Sequence, residues 1–421
     1  MTEHYDDLET RDPTLRQTKL IAAVGAQVGH AIAKSPAYAQ IFAGVDARAI
    51  ASGADIAALP VTRKSELAQR QRESPPFGEL AAYADGALRY LFASPGPIYE
   101  PATARADYWL FARSLFAAGF RACDVAHNAF SYHLTPAGAM GDSGCHALGC
   151  AVIPAGVGQA ELQVATISDL KPNGYIGTPS FLRILLEKAD ELRADASSLR
   201  KALVSGEALP PVTRQFLAAH GIAALQAYAT ADLGLIAYET IADDGLVIDE
   251  GVYVEIVRPG GAQPLADGEV GEVVVTTLNP DYPLIRFATG DLSAIRVEPS
   301  ACGRTNRRIK GWMGRADQTA KVRGMFVHPA QIDQVLQRHA EIARARLVIE
   351  WIEQRDSMTL KCELRPAHQQ HADDPVQRRA LTAAIAASIR DLCKVRGEVE
   401  LLAPDSLAND GVIIEDAREY E

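Results

Sequence analysis

The sequence predicts an α/β fold: a large N-terminal domain with a parallel βαβ sheet plus a β-rich subdomain, then a small mobile α+β C-terminal domain. Three observations predict it. From Leu88 to about Tyr238, short apolar runs alternate with stretches of helical spacing, the pattern of βαβ units around a parallel sheet. After Asp243 the segments "VYVEIVRP", "GEVGEVVVTTL" and "PLIRFATGDLSAIRV" are β-rich and punctuated by Gly and Asp, which suits hairpins or a small barrel. Past the basic, Gly-rich stretch 303–329, a mixture of helical and strand-like runs closes the chain in a domain of ordinary size. The expected boundaries are 1–316 and 317–421.

In chain order, residues 14–43 carry apolar positions at helical spacing and predict a helix, while "ALPVTRKSEL" (58–67) reads as a short connector. Strands are expected at 88–93, 124–130, 150–153, 173–177, 201–205 and 223–228. Helices are expected between them at 106–119, 135–148, 159–170, 179–193 and 210–220. In the last domain, helices at 330–339 and 375–393 flank strands at 343–352 and 357–364.

Composition narrows the function. The 421 residues are 48% apolar and carry a net charge of −11. That balance argues against nucleic acid as a partner, since a phosphate backbone demands a basic face. It leaves room for a small anion in a local basic pocket. Six cysteines form no CxxC pair, the polar N-terminus lacks the pattern of a signal peptide, and no run of 18 apolar residues occurs. A reduced, cytoplasmic chain without a membrane span is the expectation.

Several stretches carry candidate chemistry. "LFASPGPIYEP" (91–101) leaves a strand into a turn of Ser, Gly and Pro. Such a turn either lets Ser94 and Gly96 approach a phosphate or is only a turn, and the GxxxxGK[ST] pattern is missing. In "QAYATADLGLIAYE" (226–239), Tyr228 suits stacking on a flat base, and Asp232 or Glu239 suits a magnesium ion; the structural alternative is a helix start capped by Thr230. "RFATGDLSAI" (286–295) sets Asp291 after a Thr-Gly turn, fit for a ribose diol or for an Asx-type turn. "GRADQTAKVRG" (314–324) places Arg315, Lys321 and Arg323 near the domain boundary, either for an anion or as solvated surface. "CHALGC" (145–150) has poor spacing for zinc, and His133 in "SYHLTPAG" (131–138) belongs to no GxSxG elbow.

The order of these segments resembles the adenylate-forming superfamily, specifically its phenylacetate–CoA ligase-like branch, nearly from end to end. The similarity runs through "LETRDPTLRQ", "IGTPSFLRILLEKA", "VSGEALP", "YATADLG", "YPLIRFATGDLSAI", "CGRTNRRIKGWMGRADQTAKVRGMFVHPAQID" and "EVELLAPDSLANDGVIIEDAR". The resemblance implies ATP-dependent adenylation of an aromatic or small organic acid, with magnesium, and then transfer to CoA as the small domain turns about a hinge. It implies Asp291 as ribose ligand, Arg315 near ribose and α-phosphate, and Tyr228 on adenine with Ser205, Gly206 and Glu207 along its edge. It places Thr230 in the nucleotide block, Asp232 at the magnesium-linked acid, Asp317 at the hinge and Gly324 beside CoA. Phe130, Tyr132, His133 and Gly138 would line an acyl pocket. A homodimer is a further expectation from the branch.

Three departures stand out. Where the family has TSGTTGxP, this chain has Ser94, Pro95, Gly96, Pro97 and Ile98, without the paired Thr hydroxyls. Where a catalytic lysine follows "DG", it has Val412, and no Lys or Arg lies between Arg396 and Arg418. Losing one transition-state donor costs about 3–4 kcal/mol. The third departure is at "PSACGRT", which keeps only Cys302 of a Cys-x-Cys pair, so no zinc is expected. The alternative to an active ligase is a nucleotide- or acyl-adenylate-binding pseudoenzyme.

Overall fold

The computed structural model describes residues 3–258, 260–313, 315–316, 320–323, 325–327, 329–352, 355–369, 374–404, 406–407 and 413–418. Among these, the chain divides into two compact units, Met1–Met313 and Gly314–Glu421.

The first unit opens with α1 (Pro13–Lys34) and α2 (Pro36–Ile41). The single helix expected over 14–43 is broken because Ser35 caps a new helix with Pro36 at its first position, where a missing N–H costs nothing. A short helix, α3 (Gly53–Ala57), leads to β1 (Thr62–Arg63) and α4 (Lys64–Glu73). The expected connector over 58–67 is therefore a strand and a helix start. Thr62 and Arg63 pair in parallel with Phe287 and Ala288, an order that only a partner over 200 residues away supplies.

Next come β2 (Leu88–Ser94) and β3 (Ile98–Thr103), an antiparallel hairpin in which Ser94 faces Ile98. The strand expected at 88–93 thus feeds a hairpin and stays outside the parallel sheet. The alternating elements follow as α5 (Phe111–Ala117), β4 (Val125–Asn128), α6 (Ala137–Leu148), β5 (Ala151–Pro154), α7 (Ala160–Leu170), β6 (Gly174–Gly177), α8 (Pro179–Leu192), β7 (Lys201–Val204), α9 (Pro211–Ala219) and β8 (Ala223–Thr230). Strands β5, β4, β6, β7 and β8 lie in that spatial order, all parallel. The sheet continues antiparallel through β9 (Gly234–Glu239) and β10 (Leu246–Ile248). Residues 226–239 accordingly form a hairpin and no helix starts at Thr230; its hydroxyl instead accepts the Leu233 N–H within the turn.

A second sheet is made by β11 (Val252–Val257), β12 (Gly271–Thr277) and β13 (Phe287–Ser293), with β1 on its edge. Its hub is Arg286, fully buried, with Nε and Nη2 on the Glu255 carboxylate at 2.9 and 3.0 Å. Its remaining N–H groups reach the carbonyls of Ala57, Leu59 and Ala262. A buried cation persists only when paired and bonded in this way, and removing its partner typically costs about 3–5 kcal/mol.

The second unit has its own core. Strands at Ile342–Ile352 and Arg355–Leu364 form a long antiparallel hairpin, extended in parallel by Glu398–Leu402 on one side and Ile414–Asp416 on the other. Helices Pro329–Arg338 and Pro375–Cys393 belong to this unit, and Ile332, Val335, Leu347, Leu360, Ile385 and Ile389 are buried together. The expected helices and strands of this domain are present.

Candidate active site

In open parallel sheets, ligands bind beyond the carboxyl ends of the strands. Several candidate residues of the first unit sit at or just after those strand ends, held there by the apolar strands. Ser205, Gly206 and Glu207 follow β7, and the Ser205 hydroxyl donates to the Ala227 carbonyl at 2.7 Å. Gly206 holds φ +81°, a left-handed conformation in which Gly carries no side-chain penalty. Tyr228 and Thr230 close β8.

Asp291 comes from the other sheet, on β13, and the two sheets meet at its carboxylate. The Tyr228 hydroxyl donates to Asp291 Oδ2 at 2.8 Å and the Trp312 indole N–H donates to Oδ1 at 3.1 Å. The Asp291 backbone N–H donates to Thr289 Oγ1 at 3.1 Å, and Thr289 donates to the Val273 carbonyl. The acid is therefore oriented from three sides. A carboxylate offers about four lone-pair sites, and two of the donors that reach this one are neutral.

The turn at Pro95–Pro97 is built differently. Pro95 and Pro97 lack an N–H, which leaves Gly96 to offer one. The Ser94 hydroxyl is turned along the hairpin and donates to Glu100 Oε1 at 2.5 Å. Gln71 of α4 clamps Tyr99, accepting its N–H at 2.8 Å and donating to its carbonyl at 2.7 Å. Burial, with the charge of Asp232 adding to it, pushes Glu100 up to about 8. Asp232 itself, its side chain wholly buried, holds Lys64 Nζ at 2.5 Å through Oδ2. Its Oδ1 and the Oε2 of Glu100 are buried without a hydrogen-bond partner among the described residues. Glu239, the other acid weighed for magnesium, is committed to Arg214 at 2.7 and 3.0 Å and to the Gln226 N–H.

After β4 the chain builds a wall. Asn128 donates to the Gly138 carbonyl at 2.8 Å and to Asp142 at 2.9 Å. The Tyr132 hydroxyl donates to the same Asp142 oxygen at 2.7 Å. Burial and that contact drive the Tyr132 hydroxyl far above its ordinary range, so it stays protonated. A Cβ on Gly138 would lie 2.6 Å from the Tyr132 ring, so only glycine admits the ring there. Phe130 is buried in the core, whereas His133 is exposed.

Comparison with known proteins gives a consistent picture. Residues 124–279 match the AMP-binding enzyme family and residues 324–412 match the AMP-binding enzyme C-terminal domain. The phenylacetate-coenzyme A ligase of Aromatoleum evansii is 31% identical over 90% of this chain and 88% of its own. That of Thermus thermophilus is 30% identical, covering 90% of each chain. The chain belongs to the phenylacetate–CoA ligase-like branch of the AMP-binding enzymes. In fold it is similar to a 2-hydroxyisobutyryl-CoA ligase solved with 2-HIB-AMP and CoA. That match has a TM-score of 0.78 and 24% identity, covering 98% of this chain and 92% of that one.

Within this AMP-binding enzyme, Arg315 lies half-buried in the second unit. Asp317, Gly324 and Val412 lie outside the described residues. Cys302 is buried with Ser300 Oγ 2.9 Å away, and among the described residues no three His, Cys, Asp or Glu side chains are grouped to hold a metal. Sequence reasoning missed Lys64, Glu100 and Trp312. Trp312 lies in the basic, Gly-rich stretch 303–329. Lys64 carries no local signal, because its partner Asp232 is 168 positions away.

Proposed function

We propose that this protein activates an aromatic or small organic carboxylic acid with ATP and passes the acyl group to CoA. In the first step a substrate carboxylate oxygen attacks the α-phosphorus of ATP, and pyrophosphate leaves with the electron pair of the broken bond. In the second, the CoA thiolate attacks the acyl carbon, and AMP leaves. The observation that carries this reading is identity of about 30% with phenylacetate-coenzyme A ligases along 90% of the chain. The names of those relatives support a ligase and give no support to the pseudoenzyme alternative.

The roles are those that the family resemblance implies, and the contacts of the first unit are compatible with them. Asp291 accepts the ribose hydroxyls, Tyr228 flanks adenine, and Ser205, Gly206 and Glu207 border it. Thr230 shapes the turn that presents Asp232. Phe130, Tyr132, His133 and Gly138 form the acyl wall, and the protonated Tyr132 keeps that wall uncharged. Arg315 meets ribose and α-phosphate, Asp317 is the hinge and Gly324 adjoins CoA. The orphaned, buried Oδ1 of Asp232 suits a hard cation with oxygen ligands such as Mg²⁺, which neutralises phosphate charge when bound. Six free thiols fit a cytoplasmic setting, and no described helix is long and apolar enough to cross a membrane. A homodimer completes the reading and is checked by light scattering.

The test is incubation with ATP, Mg²⁺, CoA and a panel of aryl, arylacetic and short hydroxy acids, reading AMP and acyl-CoA together. Stoichiometric AMP and thioester with one class of acid supports the proposal. AMP-independent behaviour, with neither product from any acid and no thermal stabilisation by AMP, removes it.

A further inference from the structure

We propose that Lys64 is the cation that receives the pyrophosphoryl part of ATP, in place of the hydroxyl donors that the Pro95–Pro97 turn lacks. This rests on the nucleotide-binding reading above and adds to it a residue from the N-terminal segment.

Helix α4 is held at two points. At its start, β1 fastens Thr62 and Arg63 alongside Phe287 and Ala288, on the strand that carries Asp291. Further along, Gln71 is fastened to both backbone groups of Tyr99, at the phosphate turn. One helix thereby spans from the ribose acid to the turn, and Lys64 is its first residue. The ammonium lies 2.5 Å from Asp232 and within electrostatic reach of Asp291 and Glu100. Its side chain is 28% exposed, whereas that of Asp232 is 0% exposed. The cation is thus on the approachable side of the pair.

Charge and donor inventory then assign its role. Adenylation brings a polyanion against a turn with one backbone N–H, and toward the acids Asp232, Glu100 and Asp291. A lysine ammonium has three N–H donors, and Asp232 takes one. The others have the geometry of a mobile point charge, which suits phosphate oxygens. Asp232 serves as the resting partner that keeps a half-buried ammonium paired while the site awaits nucleotide. The adenosine half is recognised at Asp291, so Lys64 is left to distinguish ATP from AMP.

Titration calorimetry with ATP and with AMP, both in EDTA so that Lys64 acts without a divalent ion, tests this on the full chain with Lys64→Met and Lys64→Arg. The expected result for Lys64→Met is a loss on the order of 10–100-fold in ATP affinity, with AMP affinity held within about 2-fold. Lys64→Arg restores most of the ATP affinity, which a purely structural lysine would not predict. In parallel, pyrophosphate–ATP exchange falls by more than thioester formation from synthetic acyl-AMP and CoA. Equal losses for ATP and AMP, or an unchanged ATP-to-AMP ratio, overturn the proposal. A wild-type chain that makes acyl-CoA while Lys64→Met keeps that ratio sinks Lys64 alone. A wild-type chain that binds neither nucleotide and makes no thioester sinks the proposed function. If Lys64→Met melts too low for calorimetry, Lys64→Gln replaces it under the same criteria.

Discussion

At Asp291 two neutral donors, the Tyr228 hydroxyl and the Trp312 indole N–H, aim at a carboxylate from two directions. At Glu100, by contrast, the donor is the Ser94 hydroxyl, six residues earlier on the same hairpin. The first arrangement orients an acceptor for an incoming diol. The second closes a hairpin on itself and leaves few groups for an anion. The contrast teaches that the two ends of the proposed nucleotide site are built differently, one around an oriented acceptor and the other around a closed hairpin. Neutral hydroxyls at the turn are replaced, in this reading, by the Lys64–Asp232 ion pair beside a protonated Glu100.

The largest expected effect is at the nucleoside end. Asp291→Ala removes the acceptor for both ribose hydroxyls, each a charge-assisted bond contributing about 1.5–3 kcal/mol. AMP affinity should fall about 100-fold or more, read by calorimetry. An Asp291→Ala protein that binds AMP as tightly as wild type would erase the contrast, because the nucleoside would then be held elsewhere.

Next in size is the position after the last "DG" pair. Val412→Lys restores a cation for the developing charge on substrate carboxylate and α-phosphate. Pyrophosphate–ATP exchange should rise by about 10²-fold if the missing donor limits adenylation. An unchanged rate would place the limitation at the Pro95–Pro97 turn, which sharpens the comparison in the other direction.

These two predictions draw on different amounts of sequence information. Asp291 was marked by a local signal, Thr-Gly within a β-rich run, but no turn forms there: Thr289, Gly290 and Asp291 all lie inside β13, with Gly290 at φ +78°. The parallel strands were legible for a similar reason, since apolar runs bounded by turn residues alternate with helical spacing. The hairpin β2–β3 was half legible. Its turn was visible, but Pro101 within the second run disguises the strand, as proline inside a strand usually does. Lys64 and Trp312 were not legible as site residues. Each acquires meaning from a partner brought in by the fold, Asp232 at 2.5 Å and Asp291 at 3.1 Å. The split between α1 and α2 was written in Ser35-Pro36, a cap signal that helical spacing alone overrides.

The smallest expected effect tests the phosphate end through proton linkage. Burial and the charge of Asp232 raise Glu100 from its ordinary 4.5 to about 8. Between those two values the unfolded chain carries an ionised Glu100 while the folded chain keeps it protonated, so folding takes up a proton. Stability must then fall as pH rises from 4.5 toward about 8 and level off above it. Glu100→Gln keeps an oxygen to accept the Ser94 hydroxyl and has no proton to lose, so it should escape this decline. The Tm of Glu100→Gln minus that of wild type should widen across that window and then stay constant. A flat difference would mean that Glu100 is ionised throughout, and a fixed negative charge would face the phosphates in place of a neutral carboxyl. In that case Lys64 would have two carboxylates to offset before it could serve a nucleotide, and the ATP preference expected of it should shrink accordingly.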